Sequence, residues 1–340
     1  MILSVVIPQY KETEENISKL LYSINYQLNV NWKEVEVIIV NDGSDVILSD
    51  DFLNSFSNIK PKYIKLERNM GPGLCRQAGL DAATGDYVTF CDADDIYQNF
   101  GVFSLYLSVI RTKHPDIIVT NWLEEIEKDG KLYYLQHDFD ATWMHGKVFN
   151  RGYLYLNGIR FNPKLWYHED SHFLGIAMEL TQNVEHLQQL SYVWLYDSSS
   201  ITRRNNAAYT YEALPEFIRS IDYTMEILAE KKPEKIPFKI GQLCIYIYYS
   251  LQQNKWSEEN VNFIEDEIAR VFIKYKTYFD KLTDVDIYNI ITSERTKAKI
   301  PFIESETFVQ FIQRIIAKYA KNHEEVKVEE IEEGNEKVDA

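Results

Sequence analysis

The chain has 340 residues and a formal net charge of −16. That is room for one substantial domain and a smaller one, and too acidic for the basic footprint of a general nucleic-acid binder. No stretch reaches about 18 apolar residues, and the opening run Ile2 to Pro8 is too short for a signal peptide's apolar core, so the expectation is a cytoplasmic chain. The three cysteines, Cys75, Cys91 and Cys244, are scattered and odd in number, which fits reduced thiols and no zinc spacing.

In chain order, Leu3 to Ile7 and Val35 to Val40 are rich in β-branched residues and predict buried parallel strands. Between them Ile17, Leu20, Leu21 and Ile24 recur at helical spacing. Tyr63 to Leu66 predicts a short strand. Leu74 to Ala83 predicts a helix entered through Gly71-Pro72-Gly73 and closed before Gly85. Tyr87 to Phe90, Phe103 to Arg111 and Asp116 to Thr120 then read as strand, helix and strand. This alternation predicts an α/β fold, a doubly wound, mixed but mostly parallel sheet flanked by helices. Ligands of such sheets sit beyond the carboxyl ends of the strands. From about residue 206 the texture becomes helical, around 212–230, 237–253, 257–279 and 304–321, punctuated by Pro233, Pro237 and Pro301. The expected division is 1–205, a helical subdomain 206–322, and a disordered tail 323–340, whose last 17 residues hold seven Glu and one Asp against two Lys.

The chemistry concentrates at predicted strand ends. Tyr87-Val88-Thr89-Phe90 stops in Cys91-Asp92-Ala93-Asp94-Asp95, three carboxylates within four residues. Adjacent acids repel and each costs desolvation; a hard cation such as Mg²⁺ or Mn²⁺ removes that penalty and carries phosphates on its open positions. Pro8-Gln9-Tyr10, with Glu12 just beyond, follows the first strand, where Tyr10 suits either base stacking or a surface turn. Asp42, in Asn41-Asp42-Gly43-Ser44, suits hydrogen bonding to a uracil or ribose, or an Asx turn. Arg76 lies one turn into the helix after Gly71-Pro72-Gly73, whose N-terminus favours a diphosphate, or it is a surface Arg on a capped helix. Glu169-Asp170 opens a further helical pattern, as a catalytic pair or as acids favoured by the helix dipole.

These residues resemble a known family. VVIPQYKE, IIVNDGS and ERNMGPGLCRQAGLDAATGDYVTFCDADD are similar, in order and spacing, to the GT-A fold glycosyltransferases of family 2. HGKVFNRGYLYLNGIRFNPKLWYHEDSHF and YVWLYDSSSITR resemble that family's acceptor half and closing loop, so the likeness spans roughly residues 1 to 205. It implies an inverting, metal-dependent enzyme that takes a sugar from a nucleotide diphosphate. By the same resemblance Pro8, Tyr10, Glu12 and Asp42 bind the nucleoside, Arg76 lies near the nucleotide, and Asp92 and Asp94 hold the metal, with Asp92 also near the ribose. Asp95 caps the next helix or orients a neighbour, and Asp170 is the general base beside Glu169. His168 or His172 is a candidate extra metal ligand, against a plain hydrogen-bonding role. Arg203 or Arg204 is a candidate clamp on the diphosphate, or part of a solvated surface loop.

The Q-x-x-R-W motif and membrane helices of processive members are absent from the sequence. The expected function is therefore hexose transfer from a UDP-sugar, with Mn²⁺ or Mg²⁺, to a glycan or other hydroxyl acceptor such as a surface polysaccharide, teichoic acid or glycolipid. The rivals are a catalytically dead nucleotide-sugar-binding scaffold and an enzyme acting on modified DNA bases. The stripe Phe308, Phe311, Ile312, Ile315, Ile316 and Tyr319, near Arg314, Lys318 and Lys321, reads as a packed or subunit face, or as a contact with the inner face of a membrane. Trp143, Tyr153, Tyr155 and Trp166 suit stacking on an acceptor sugar or core packing.

Overall fold

The structure, a computed structural model, describes residues 1–200, 203, 213–252, 258–280 and 310–321. The chain divides into two compact units, Met1–Ser199 and Ser200–Ala340.

The first unit is built on a nine-stranded sheet. Strands β1 (Leu3–Gln9), β2 (Val35–Asn41), β3 (Lys62–Lys65) and β4 (Tyr87–Phe90) form a parallel half in the order β3-β2-β1-β4. Their β-branched runs are apolar in both directions because helices cover both faces: Val5, Val6, Ile7, Ile38 and Ile39 are wholly buried. Beyond β4 the sheet becomes mixed. β8 (Lys147–Asn150) runs antiparallel to both β4 and β6 (Ile117–Lys128), while β9 (Val184–Trp194) runs parallel to β6 and pairs at its far edge with β5 (Ile96–Tyr97).

Strand β6 is longer than its predicted span because it continues into a hairpin with β7 (Lys131–His137). Lys128 pairs with Lys131, so the loop is Asp129-Gly130, with φ of 55° and 72°; two left-handed residues in a two-residue loop match the twist of the strands. The hairpin is anchored by His137, stacked on the buried Trp122 at 3.9 Å.

Helices α1 (Glu14–Asn25), α2 (Asp50–Asn54) and α4 (Val102–Lys113) share one large core with the sheet, through residues such as Leu20, Leu53 and Phe103. Helix α3 (Pro72–Ala82) packs on other sheet residues, Ile38 and Val40 among them, through Cys75. It approaches closely because position 79 lacks a side chain: a Cβ there would stand 2.2 Å from Val6. Helices α5 (Arg151–Asn157) and α6 (Glu169–Leu180) complete the unit. Phe173 of α6 stacks on Phe161 at 4.4 Å and meets Phe90, the last residue of β4, edge-on at 6.0 Å.

The second unit is helical where it is described: α7 (Leu214–Lys231), α8 (Ile236–Gln252), α9 (Glu258–Lys274), α10 (Lys276–Phe279) and a helix over 310–321. Asp222 of α7, 3% exposed, binds Arg270 at 2.6 Å and Lys274 at 2.7 Å on α9. In the helix 310–321, Ile312 and Ile315 are buried and Lys318 reaches Glu265 of α9 at 2.7 Å. The apolar stripe of that helix is therefore at least partly used in packing. Phe308, Arg204 and the tail 323–340 lie outside the described residues. Among the described residues no helix is long and apolar enough to cross a membrane.

Candidate active site

Parallel registers align the ends of the central strands: Gln9 pairs with Asn41 and Val6 with Phe90. The segments that follow, Tyr10 to Glu12, Asp42 to Ser44 and Cys91 to Asp95, thus leave the sheet at one edge. At the end of β1, Gln9 donates to the carbonyls of Glu12 at 2.9 Å and Val46 at 3.1 Å, which ties two of these loops together. The Tyr10 N–H donates to Glu12 Oε2 at 2.5 Å across Lys11, a non-glycine residue with φ of 70°. Tyr10 is 40% exposed, with the Lys11 ammonium 5.1 Å from its ring centre. Burial pushes the Glu12 carboxyl up to about 7; backbone N–H groups oppose this and the charges of Asp94 and Asp92 add to it.

Asp42 is buried, and its two oxygens accept from the N–H groups of Met70 at 2.7 Å and Gly71 at 2.9 Å. Burial raises its pKa and these two N–H groups pull it back. Its carboxylate therefore holds the turn that enters α3. Gly71 has φ of 85° there, and a Cβ on it would press the Trp166 ring at 3.2 Å, while Pro72 supplies the first helical position.

Arg76 is not at the surface. It is 6% exposed and lies between two carboxylates, Nη2 on Asp92 Oδ1 at 2.6 Å and Nη1 on Glu169 Oε1 at 2.8 Å. It thus bridges the strand-end cluster and α6. Glu169 fits because Gly73 has no side chain: a Cβ there would stand 2.5 Å from Glu169 Cγ. Burial raises Glu169 to about 7, Asp170 adds to the rise, and Arg76 opposes it. Asp170, half-buried in the first turn of α6, accepts from the Ser171 N–H at 2.7 Å. Burial raises its pKa, with Arg76 and that N–H opposing. His168 starts the helix with φ of 58°. The phenylalanines below explain the placement: Phe173, one turn after Asp170, is seated on Phe90, the strand end two residues before Asp92.

Within the acidic cluster the three carboxylates differ. Asp94 is exposed. Burial alone would raise Asp92, but the Arg76 guanidinium, by its charge and its hydrogen bond, holds it below its ordinary 3.8. Asp95 is 1% exposed and does not cap α4, whose N-cap is Gly101. It orients β9 instead, accepting from the Tyr192 hydroxyl at 2.5 Å and the Leu195 N–H at 2.9 Å. Burial, then Asp94 and Asp92, drives Asp95 well above the carboxylate range. An exposed Asp94 and an Asp92 with only one oxygen engaged by Arg76 are hard donors, so the residues fit a Mn²⁺ or Mg²⁺ ion.

The sequence reading missed His145. One of its ring nitrogens lies within 4.8 Å of carboxylate oxygens of Asp92 and Asp95. Its signal is topological: β4 and β8 pair Thr89 with Val148, and continuing that antiparallel register by three residues sets His145 opposite Asp92. Burial pushes the imidazole down to about 3, so it is neutral. The turn before β8 is held by Lys147, wholly buried, whose ammonium donates to the carbonyls of Trp143 and His145 and which burial lowers to about 8. His168 and His172 are buried on and beside α6 and do not belong to the cluster. Arg203 belongs to the second unit, where its N–H donates to the Ser200 carbonyl. A cavity of about 1060 Å³, lined by Ile2, Tyr87, Arg111, Arg151 and Tyr155 among others, involves the opposite strand ends and none of these carboxylates.

The family model for glycosyl transferase family 2 matches residues 4–180. Among curated proteins, the glycosyltransferase GlyA of Streptococcus pneumoniae is 32% identical over 133 residues, 39% of this chain and 18% of GlyA. The minor teichoic acid biosynthesis protein GgaA of Bacillus subtilis is 28% identical over 192 residues, 51% of this chain and 42% of GgaA. The chain thus spans less than half the length of either relative. Among solved structures, S. aureus TarS residues 1–349 in complex with UDP superposes with a TM-score of 0.67 at 16% identity, covering 95% of this chain and 92% of that one. That likeness establishes the GT-A-like fold.

Proposed function

Because the chain belongs to glycosyl transferase family 2, we propose that it is an inverting hexosyltransferase, moving a sugar from a UDP-sugar to a hydroxyl of a glycan acceptor. The observation that carries this reading is the Arg76 bridge, which gathers Asp92, Glu169 and the adjacent Asp170 into one site. A leaving-group site and a base site must face each other across one anomeric carbon, and the bridge sets their separation.

In this reading Pro8, Tyr10, Glu12 and Asp42 line the nucleoside end. Tyr10 offers an exposed ring for stacking, and Asp42 shapes the loop that enters α3. Asp92 and Asp94 would hold a Mn²⁺ or Mg²⁺, which neutralises negative charge on the diphosphate. Asp170 accepts the proton of the acceptor hydroxyl as its oxygen bonds to the anomeric carbon. The bond from that carbon to the phosphate oxygen breaks, and UDP leaves with the electron pair. Glu169, held by Arg76, keeps Asp170 in place. GgaA, named for minor teichoic acid biosynthesis, supports an acceptor of the surface-polymer or lipid-linked class, met at the cytoplasmic face of the membrane.

The test is UDP release from a panel of UDP-sugars, with Mn²⁺ or with EDTA, with and without crude glycan acceptor. Release from one donor that requires the metal and disappears in Asp94→Asn is expected. UDP binding with no turnover of any donor, whatever the acceptor, would replace the transferase with a binding module.

A further inference from the structure

We infer that Asp92, Asp95 and His145 form an inner cation site, separate from the exposed Asp94 carboxylate and suited to a transition-metal ion over Mg²⁺. The proposal rests on these side chains and not on the transferase reading.

Each residue offers one ligand atom, and the three atoms lie within 4.8 Å of one another. Ligands about 2.0–2.2 Å from a shared ion are separated by roughly 3–4 Å, so small side-chain adjustments close the set around one ion. A cluster of acids alone would say little. The second observation is His145: it is 6% exposed, its Nε2 is buried without a hydrogen-bond partner, and its ring makes no hydrogen bond to any described residue. Buried polar atoms are nearly always satisfied, by protein, water or an ion.

The ring is also held. It stacks on Tyr192 at 4.6 Å and against Trp122 at 4.8 Å, and Lys147 pins the carbonyl of its own residue. The supports behind the acids are those of a built site: Tyr192 and the Leu195 N–H fix Asp95, and Arg76 takes Asp92 Oδ1 while Oδ2 accepts no hydrogen bond among the described residues. Outer contacts of this kind orient metal ligands. The donor set sets the preference. Two carboxylates and one imidazole suit Mn²⁺, Co²⁺ or Zn²⁺, whereas Mg²⁺ favours an all-oxygen shell.

The decisive experiment titrates the purified full chain with Mn²⁺, without nucleotide, and follows it by electron paramagnetic resonance. The electron spin-echo modulation of the bound ion is then recorded. Nitrogen modulation from one imidazole is expected in the wild type and in Asp94→Asn, and its loss in His145→Gln. A roughly tenfold excess of Mg²⁺ should leave most of the inner ion in place. Bound Mn²⁺ without nitrogen modulation would overturn the proposal, as would loss of all binding in Asp94→Asn, or no binding in the wild type. If His145→Gln does not fold, the wild-type spectrum still decides. A chain that binds the ion in this way yet transfers no sugar would leave this site standing while the proposed function fails.

Discussion

Replacing Arg76 by Gln should destabilise the first unit by about 3–5 kcal/mol near pH 8, the usual loss when one partner of a buried ion pair is removed. Arg76 is 6% exposed and serves two carboxylates, at 2.6 Å and 2.8 Å, so its removal strands charge on both sides. Glutamine fills part of the space without the charge. The pH dependence distinguishes this cause from simple loss of packing. In the wild type Asp92 sits below its ordinary 3.8, so its stabilising contribution is present above that pH and lost only in stronger acid. Glu169, raised from 4.5 to about 7, does the reverse: ionising it costs stability across that interval and fully above it. Without Arg76 both folded-state pKa values rise, both ionisations become penalties, and protonation relieves them as the pH falls. The destabilisation should therefore shrink between pH 8 and pH 5. Urea unfolding followed by tryptophan fluorescence suits the measurement, because Trp32, Trp122, Trp143, Trp166 and Trp194 all lie in the first unit. A loss below about 1 kcal/mol, or one that stays constant across that range, would refute the argument.

Three further expectations concern the same site. Asp170→Asn should retain UDP binding by calorimetry while transfer falls at least about a hundredfold, the usual scale of a general-base contribution; near-normal transfer would remove the assignment. In the wild type, transfer should decline as acid protonates Asp170, with its midpoint above the ordinary 3.8 because burial raises this group. An acid limb at or below 3.8 in a pH–rate profile would contradict that. Phe173→Ala, at a position with no solvent exposure and three aromatic neighbours, should cost about 3–5 kcal/mol in urea unfolding. A cost under about 1 kcal/mol would mean that the phenylalanine cluster does not anchor α6.

The parallel half of the sheet was legible because its strands are buried on both faces, leaving uninterrupted apolar runs such as Val35 to Val40. The strand ends were legible too, because the apolar runs stop abruptly at polar residues such as Asn41-Asp42 and Asp92. The hairpin was harder. Asp129-Gly130 is a turn signal, but Leu132, Tyr133, Tyr134 and Leu135 are each about half exposed, so the period-2 burial that marks a strand is missing. What could not be read was who meets whom. Arg76 finds Asp92 16 residues away and Glu169 93 away. His145 reaches the cluster only because β8 runs antiparallel beside β4. Asp42 reaches the N–H groups of Met70 and Gly71, 28 and 29 residues away.

The burial of Arg76 also bears on where the diphosphate's charge is met. Both Nη atoms already donate to carboxylates, and with 6% exposure the guanidinium offers little surface to an incoming phosphate. A phosphate that paired with it would have to displace Asp92 or Glu169, leaving that carboxylate buried and uncompensated. In the proposed reaction the compensation therefore falls on the cation at Asp92 and Asp94 and on residues beyond α3, while Arg76 acts as a spacer. A spacer of this kind has a use in inversion, where the base and the departing group stand on opposite sides of one carbon. Asp92 is held from one strand end, Glu169 and Asp170 from the first turn of α6, and the phenylalanines beneath lock the two elements together. A change of side chain at position 76 should then disturb the distance between the two halves of the reaction more than the affinity for the nucleotide.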